Sequence, residues 1–174
     1  RMSAPPDIFR NSPLDAAPAY LHLKEPVSER AADARRIVEL MWRDFAPYAD
    51  DQFLAEFPRR FQQRWFEMYL AVALLWSGQE MMPKRAHGPD VGLRIGGGGV
   101  MWLEAIVPTA GDAENLDAVP VPQYRDAAGE HVAVKVPTER IVLRVREALE
   151  RKAARFRDYL RDGVIAIGDA TVVA

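Results

Sequence analysis

The sequence has no cysteine among its 174 residues. A disulfide framework, a zinc–thiolate site and a thiol nucleophile are therefore all excluded. The same lack fits a reducing compartment, so a cytoplasmic location is the expectation. No apolar run is long enough to span a bilayer, and no membrane partner is expected. Arg1 to Arg10 hold Pro5, Pro6 and Asp7 without an apolar stretch, which does not read as a signal peptide. Neither sign of charge dominates: 23 Lys and Arg stand against 25 Asp and Glu, a net charge of −2. That excludes a globally basic nucleic-acid coat, so any nucleic-acid contact has to come from a local patch. No internal repeat or extended low-complexity tract is present.

What remains is an ordinary globular composition, 49% hydrophobic and 28% charged, at a length that suits one domain with a real core. Residues 1–26 are rich in Pro and Ala and read as an arm with little structure of its own. From Val27 to Phe45 the apolar positions Ala34, Ile37, Val38, Met41 and Phe45 recur at helical spacing, and Pro47 closes the helix. A short helix is expected over Asp51 to Phe57. Residues 1–58 thus form an N-terminal arm and helical extension, and 59–174 the α/β core.

The helix from Arg59 to Ser77 is apolar on two sides, which predicts a place inside the core. One stripe is Phe61, Trp65, Met68, Tyr69, Val72 and Trp76. The other is Gln63, Glu67, Leu70, Ala71 and Leu74. Gly78 stops the helix. The period then changes to two, predicting strands over Glu80 to Pro83, Asp90 to Ile95 and Val100 to Val107, the last two joined as a hairpin through Gly96 to Gly99. A long loop covers residues 108–131. Val132 to Val136 reads as a strand or extended rim. A long helix runs from Pro137–Thr138 to about Arg161, closed by Gly163, and Val164 to Ile167 reads as a strand that Thr171 to Ala174 continues or repeats. The chain stops on apolar residues, so a longer natural sequence is expected. An antiparallel hairpin followed by a helical crossover gives a mixed α/β class.

Four side chains stand out against their surroundings. Glu67 lies in an apolar stripe, either reaching water or pairing with an Arg at the stripe's edge, or serving as a metal- or water-orienting carboxylate. Asp90 opens a strand directly after Pro89, which is a common turn pair as well as a place for a ligand. Glu104 shares its strand face with Trp102 and Ile106, where no solvated face explains a carboxylate. Lys152 falls among Val145, Leu149, Phe156 and Tyr159, either snorkelling to the helix edge or aimed at an anion. The hairpin turn decides whether two of these meet. A two-residue turn sets Glu104 opposite Val91; a three- or five-residue turn, or a bulge, sets it beside Asp90. Two converging carboxylates would suit Mg²⁺ or Mn²⁺. Gly96 to Gly99 lack the Lys-Ser/Thr of a phosphate-binding loop and precede a strand rather than a helix. His22, His87 and His131 are scattered, and no hydrolase triad or dinucleotide fingerprint is present.

An inward Glu on a helix, Pro-Asp at a strand start, and a following apolar strand with a Glu form the pattern of the PD-(D/E)XK phosphodiesterases. Glu67, Pro89-Asp90 and Glu104 fall in those slots in order, and the chain resembles that superfamily from Arg59 to Ile167. It is also similar, through Phe66 to Leu70, Gly88 to Asp90 and Trp102 to Ala105, to a group of uncharacterised bacterial proteins. The resemblance implies a restriction-endonuclease-like mixed sheet flanked by helices. It implies Mg²⁺ or Mn²⁺ on Asp90 and Glu104, a nucleic-acid substrate (DNA or RNA), and catalytic roles for Asp90, Glu104, Glu67 and a lysine. The lysine slot two residues after Glu104 holds Ile106, and Lys152 is placed to substitute from the last helix. Nucleic acid would approach along the basic residues of that helix: Arg140, Arg144, Arg146, Arg151, Arg155, Arg157 and Arg161. Glu139, Glu147, Glu150, Asp158 and Asp162 dilute them toward a solvated, mixed-charge face. Two other readings stay open: a catalytically inactive binding or interaction domain on the same fold, and a structural partner that docks through residues 1–58.

Overall fold

The computed structural model describes residues 4–84, 87–111, 114–115, 118–120, 129–130 and 133–174. The chain is α/β, with an open four-stranded mixed sheet of order β1-β2-β3-β4. The strands are β1, Glu80–Met81; β2, Val91–Ile95; β3, Gly99–Glu104; and β4, Ala170–Val173. The helices are α1, Pro18–Lys24; α2, Glu29–Phe45; α3, Phe53–Glu56; α4, Phe61–Trp76; and α5, Thr138–Arg161. Strands β1, β2 and β3 pair antiparallel, and β4 adds parallel to β3 after the crossover through α5. Among the described residues no helix is long and apolar enough to cross a membrane.

Local chemistry explains the element ends. Ser28 caps α2, its hydroxyl accepting from the Ala31 N–H at 3.2 Å, with Glu29 in the first turn where the helix dipole favours an anion. Gly78, at φ 81°, turns the chain out of α4, and its N–H closes on the Leu75 carbonyl at 2.9 Å. Between β2 and β3 the turn is Gly96–Gly98, with Gly97 and Gly98 both at φ 81°. Two successive left-handed residues are open to glycine and strained for almost anything else.

Alternation along β3 splits the core into two layers. Met101 and Leu103 face a large cluster with Met81, Val91, Leu93, Met68, Val72, Val38 and Phe45. Trp102 faces the other side, against Phe156 and Ile165. The sheet is thus sandwiched between α2 and α4 on one face and α5 on the other, as a strand buried on both sides requires.

Several sequence expectations are corrected. The arm over residues 1–26 contains α1, and Ile8, Phe9 and Tyr20 are buried in the large cluster. Phe9, Tyr20, Phe57 and Phe61 form a chain of ring contacts at 5.2–6.3 Å, so the core runs across position 58. In α4, Tyr69 and Trp76 are exposed, and the inward face is Phe61, Arg64, Glu67, Met68, Ala71 and Val72. Residues 164–167 are not a strand: positive φ at Gly163 and Gly168 makes the segment a turn. Its geometry is held by Asp169, which accepts from Ala166 N–H at 2.9 Å and Trp102 Nε1–H at 2.8 Å. Strand β4 begins only afterwards. Residues 133–136 form no strand, while Val132 lies outside the described residues, as does His131.

Candidate functional site

The three-residue glycine turn fixes the hairpin register as Val91 opposite Leu103 and Ile95 opposite Gly99. This is the register that sets Asp90 beside Glu104. Asp90 bends back over the strand end, and its Oδ2 accepts from the Ala105 N–H at 2.9 Å. Glu104 is wholly buried, at 0% exposure, on the Trp102 face of β3.

Helix α5 crosses that face and supplies the counter-charge. Ala148, Lys152, Phe156 and Tyr159 follow one another at helical spacing and form its inward side. Lys152 Nζ donates to Asp90 Oδ2 at 3.2 Å and also to Glu104 Oε2. Tyr159 donates its hydroxyl proton to Glu104 Oε1 at 2.8 Å. Arg155 Nη1 stands 3.7 Å from Glu104 Oε2. One ammonium thus bridges the two carboxylates, and a phenol holds the remaining oxygen of the deeper one. Burial pushes the Glu104 carboxyl above its usual pKa and the neighbouring Asp90 charge adds to this, while Lys152 and Tyr159 pull it partly back. Tyr159 is raised as well, by burial and by the Glu104 charge.

Glu67 is brought to the same groove but into a different set of contacts. Its carboxylate accepts from Arg64 Nη1 at 2.8 Å and from Lys84 Nζ. Arg64 also binds Glu56 at 2.6 Å and Asp50 at 3.0 Å, and Lys84 lies 3.2 Å from Asp50. Desolvation alone would lower Lys84, yet Glu67, helped by Asp90 and Asp50, outweighs it and the ammonium is held above its ordinary pKa. Desolvation alone would raise Asp50, yet Lys84 and Arg64 hold it below the usual carboxylate range. Of the two sequence readings of Glu67, the pairing with an arginine is present.

Asp90, Arg155 and Tyr159 of the first cluster and Asp50, Glu56, Arg64, Glu67 and Lys84 of the second line one groove of about 780 Å³, with α4 on one side and α5 on the other, a size typical of ligand sites; Glu104 and Lys152 are not part of its lining. It lies at the end of the sheet where β3 terminates and β2 begins. His87 lines it too and is exposed. Ile106 lies in an adjoining pocket with Lys152.

Arg64, Lys84, Tyr159 and Asp50 were missed from the sequence. Arg64 had a signal, since it sits three residues before Glu67 on the same helix face. Tyr159 had one too, seven residues after Lys152 in one stripe. Lys84 follows Pro83 outside any periodic segment, and Asp50 lies in a turn region, so neither carried a local mark.

The fit to a divalent ion rests on donor chemistry. Asp90 and Glu104 offer an oxygen-only set, and Mg²⁺ characteristically takes one or two carboxylates and keeps several waters. Burial is the larger cause of the raised Glu104 carboxyl, and the Asp90 charge is the second. Among the described residues no group of three or more His, Asp or Glu is gathered for a metal. No protein-family model matches the chain, and no curated protein or solved structure matches it either.

Proposed function

We propose that this chain is a metal-dependent nucleic-acid phosphodiesterase of PD-(D/E)XK type, with a restriction-endonuclease-like core whose lysine has moved from the strand to α5. The observation that supports it is the Lys152 ammonium donating to both Asp90 and Glu104 at one end of the hairpin. Phosphodiester hydrolysis needs developing negative charge on the phosphate to be offset and a water to lose a proton. A divalent ion on Asp90 and Glu104 would supply electrostatic activation of both. Lys152 brings a positive charge and several N–H donors to the same place, suited to hold a phosphate oxygen or the attacking water. Tyr159 holds the Glu104 carboxylate in place through Oε1. Glu67 acts through Lys84, holding a second cation in the groove wall.

The decisive experiment is calorimetry with Mg²⁺ and Mn²⁺ on the parent and on Glu104→Gln, followed by cleavage assays on DNA and RNA. The expected result is binding to the parent, loss in the variant, and metal-dependent cleavage abolished by Asp90→Asn. Absence of metal binding, with and without oligonucleotide present, would sink the reading. A second reading is an inactive binding domain on the same fold. Ile106 in the lysine slot, and the existing ammonium bridge across both carboxylates, favour it. Metal binding without cleavage of any substrate would select it.

A further inference from the structure

Next to the carboxylate pair lies a second cavity of about 270 Å³, walled by Ala105 to Val107 in the segment after β3, by Arg60 at the start of α4, and by Arg151, Lys152 and Arg155 from α5. Its charged lining is entirely cationic, in a chain whose net charge is −2. Of the seven arginines of α5, Arg140 donates to the Ala118 carbonyl and Arg157 lies outside the cavity lining; the other five divide into two groups. Arg144, Arg146 and Arg161 are committed to Glu147, Glu150, and Asp158 with Asp162. Arg151 makes no ion pair among the described residues, and the ion pair of Arg155 is the 3.7 Å approach to Glu104. Arg60 reaches across from α4, carried by contacts to Glu56 at 3.2 Å and Gln63 at 2.6 Å. Residues far apart in the chain thus converge into a concave wall that lacks a carboxylate, and it shares Lys152 with the candidate catalytic pair.

We infer that this cavity is a phosphate-backbone subsite, in which Arg151, Arg155 and Arg60 hold a phosphodiester of a nucleic-acid strand beside the one presented to Asp90 and Glu104. The identity of the anion rests on the phosphodiesterase reading; the cationic wall does not. Guanidinium forks match phosphate oxygens in pairs. The apolar floor of Ala105, Ile106 and Val107 leaves the lining side chains as its polar contacts. Ile106, at the position where the superfamily pattern has its lysine, becomes part of that floor.

The test is fluorescence anisotropy of a fluorescein-labelled single-stranded DNA, and its RNA counterpart, titrated with the full chain in EDTA, so that cleavage plays no part. The parent is compared with Arg151→Gln/Arg155→Gln and with Arg157→Gln, which removes one charge from α5 outside the cavity. The double variant is expected to bind about tenfold more weakly, with the slope of log K against log salt reduced by about 0.7 per lost phosphate contact. Arg157→Gln should stay within about twofold, because loss of a single unfocused charge is screened. Thermal melts check that both variants fold. Equal losses in both variants would overturn the subsite in favour of a diffuse basic helix, and no loss in the double variant would overturn it outright. Inorganic phosphate at matched ionic strength should displace the strand no better than chloride. Preferential displacement would reassign the cavity to a free phosphate and overturn the strand proposal. A parent that binds Mn²⁺ but no strand defeats the subsite alone. A parent that binds the strand but no metal defeats the phosphodiesterase reading and leaves the subsite standing.

Discussion

Lys152 donates to the carboxylate of Glu104 from a position 48 residues further along the chain, and Glu104 is wholly buried. An uncompensated charge at such depth is strongly destabilising, so the contact makes Glu104 tolerable as well as useful. Lys152→Met should cost about 3 kcal/mol at neutral pH. Glu104 is already raised by burial and by Asp90, and loss of the ammonium should raise it further. A carboxyl with a raised folded-state pKa binds its proton more readily in the folded than in the unfolded chain. Its penalty is therefore complete above the folded value and relieved as pH falls through it. The variant should recover part of its lost stability on mild acidification. Denaturant midpoints across pH measure this, and a deficit independent of pH would show that Glu104 is not the group responsible.

Tyr159→Phe removes the donor on Glu104 Oε1 and the 3.2 Å contact to the Gly88 carbonyl. A hydrogen bond to a charged group contributes about 1.5–3 kcal/mol, and a loss in that range is expected in chemical denaturation. Metal affinity should change less than for Glu104→Gln, since the carboxylate itself remains. Calorimetry on the two variants side by side separates support of the site from membership of it.

The Arg64–Glu67–Lys84–Asp50 network should give stability two pH edges. Asp50, held low by Lys84 and Arg64, contributes stability present above the ordinary carboxylate pKa and lost as pH falls through its lowered value. Lys84, held high by Glu67, contributes stability that is full below the ordinary lysine pKa and lost as pH rises through its raised value. Lys84→Met should flatten the alkaline limb of a melting-temperature profile. Arg64→Met should cost about 3 kcal/mol by leaving Glu67 half-paired. An unchanged alkaline limb in Lys84→Met would refute the assignment.

Gly92 faces Trp102 across the hairpin. A Cβ there would come within 2.5 Å of the indole ring, which is itself buried. Gly92→Ala is expected to destabilise by about 1–3 kcal/mol through overpacking, seen as a lower urea midpoint with an unchanged slope. A neutral result would argue against the three-residue turn and the register it sets.

Phe9 is 2% exposed among Tyr20, Phe57 and other rings of the large cluster. Phe9→Ala should cost about 3–5 kcal/mol. Deleting residues 1–58 should leave the remainder unfolded by circular dichroism, which an independently folding remainder would contradict.

The sequence carried α2 to α5 and the hairpin because each rests on local chemistry. Periodic apolar positions, Pro47, the glycine run and Gly163 act within a few residues of where they stand. It also marked Glu104, since a carboxylate amid apolar neighbours on a two-sided strand has no solvated face to occupy. Residues 1–26 misled because proline and alanine set no period, so the anchoring of Ile8 and Phe9 has no local signature. The turn at 164–167 was obscured because β-branched residues favour a strand, while the left-handed glycines on either side and the Asp169 hydrogen bonds override that preference.

Sequence alone therefore determined the types of helices α2 to α5 and of the hairpin strands, the order that gives a mixed α/β sheet, and a short set of charged residues out of place. It left open whether the glycine turn spans two residues, three or five, or holds a bulge, and one residue of register moves every side chain to the other face. Tertiary structure decided that point through the positive φ of Gly97 and Gly98. It also decided which cation meets which carboxylate: Lys152 goes to Asp90 and Glu104, while Arg64 and Lys84 take Glu67. Such pairings join side chains many residues apart, and periodicity carries no information about contacts that form only when α4 and α5 close on opposite faces of the same sheet.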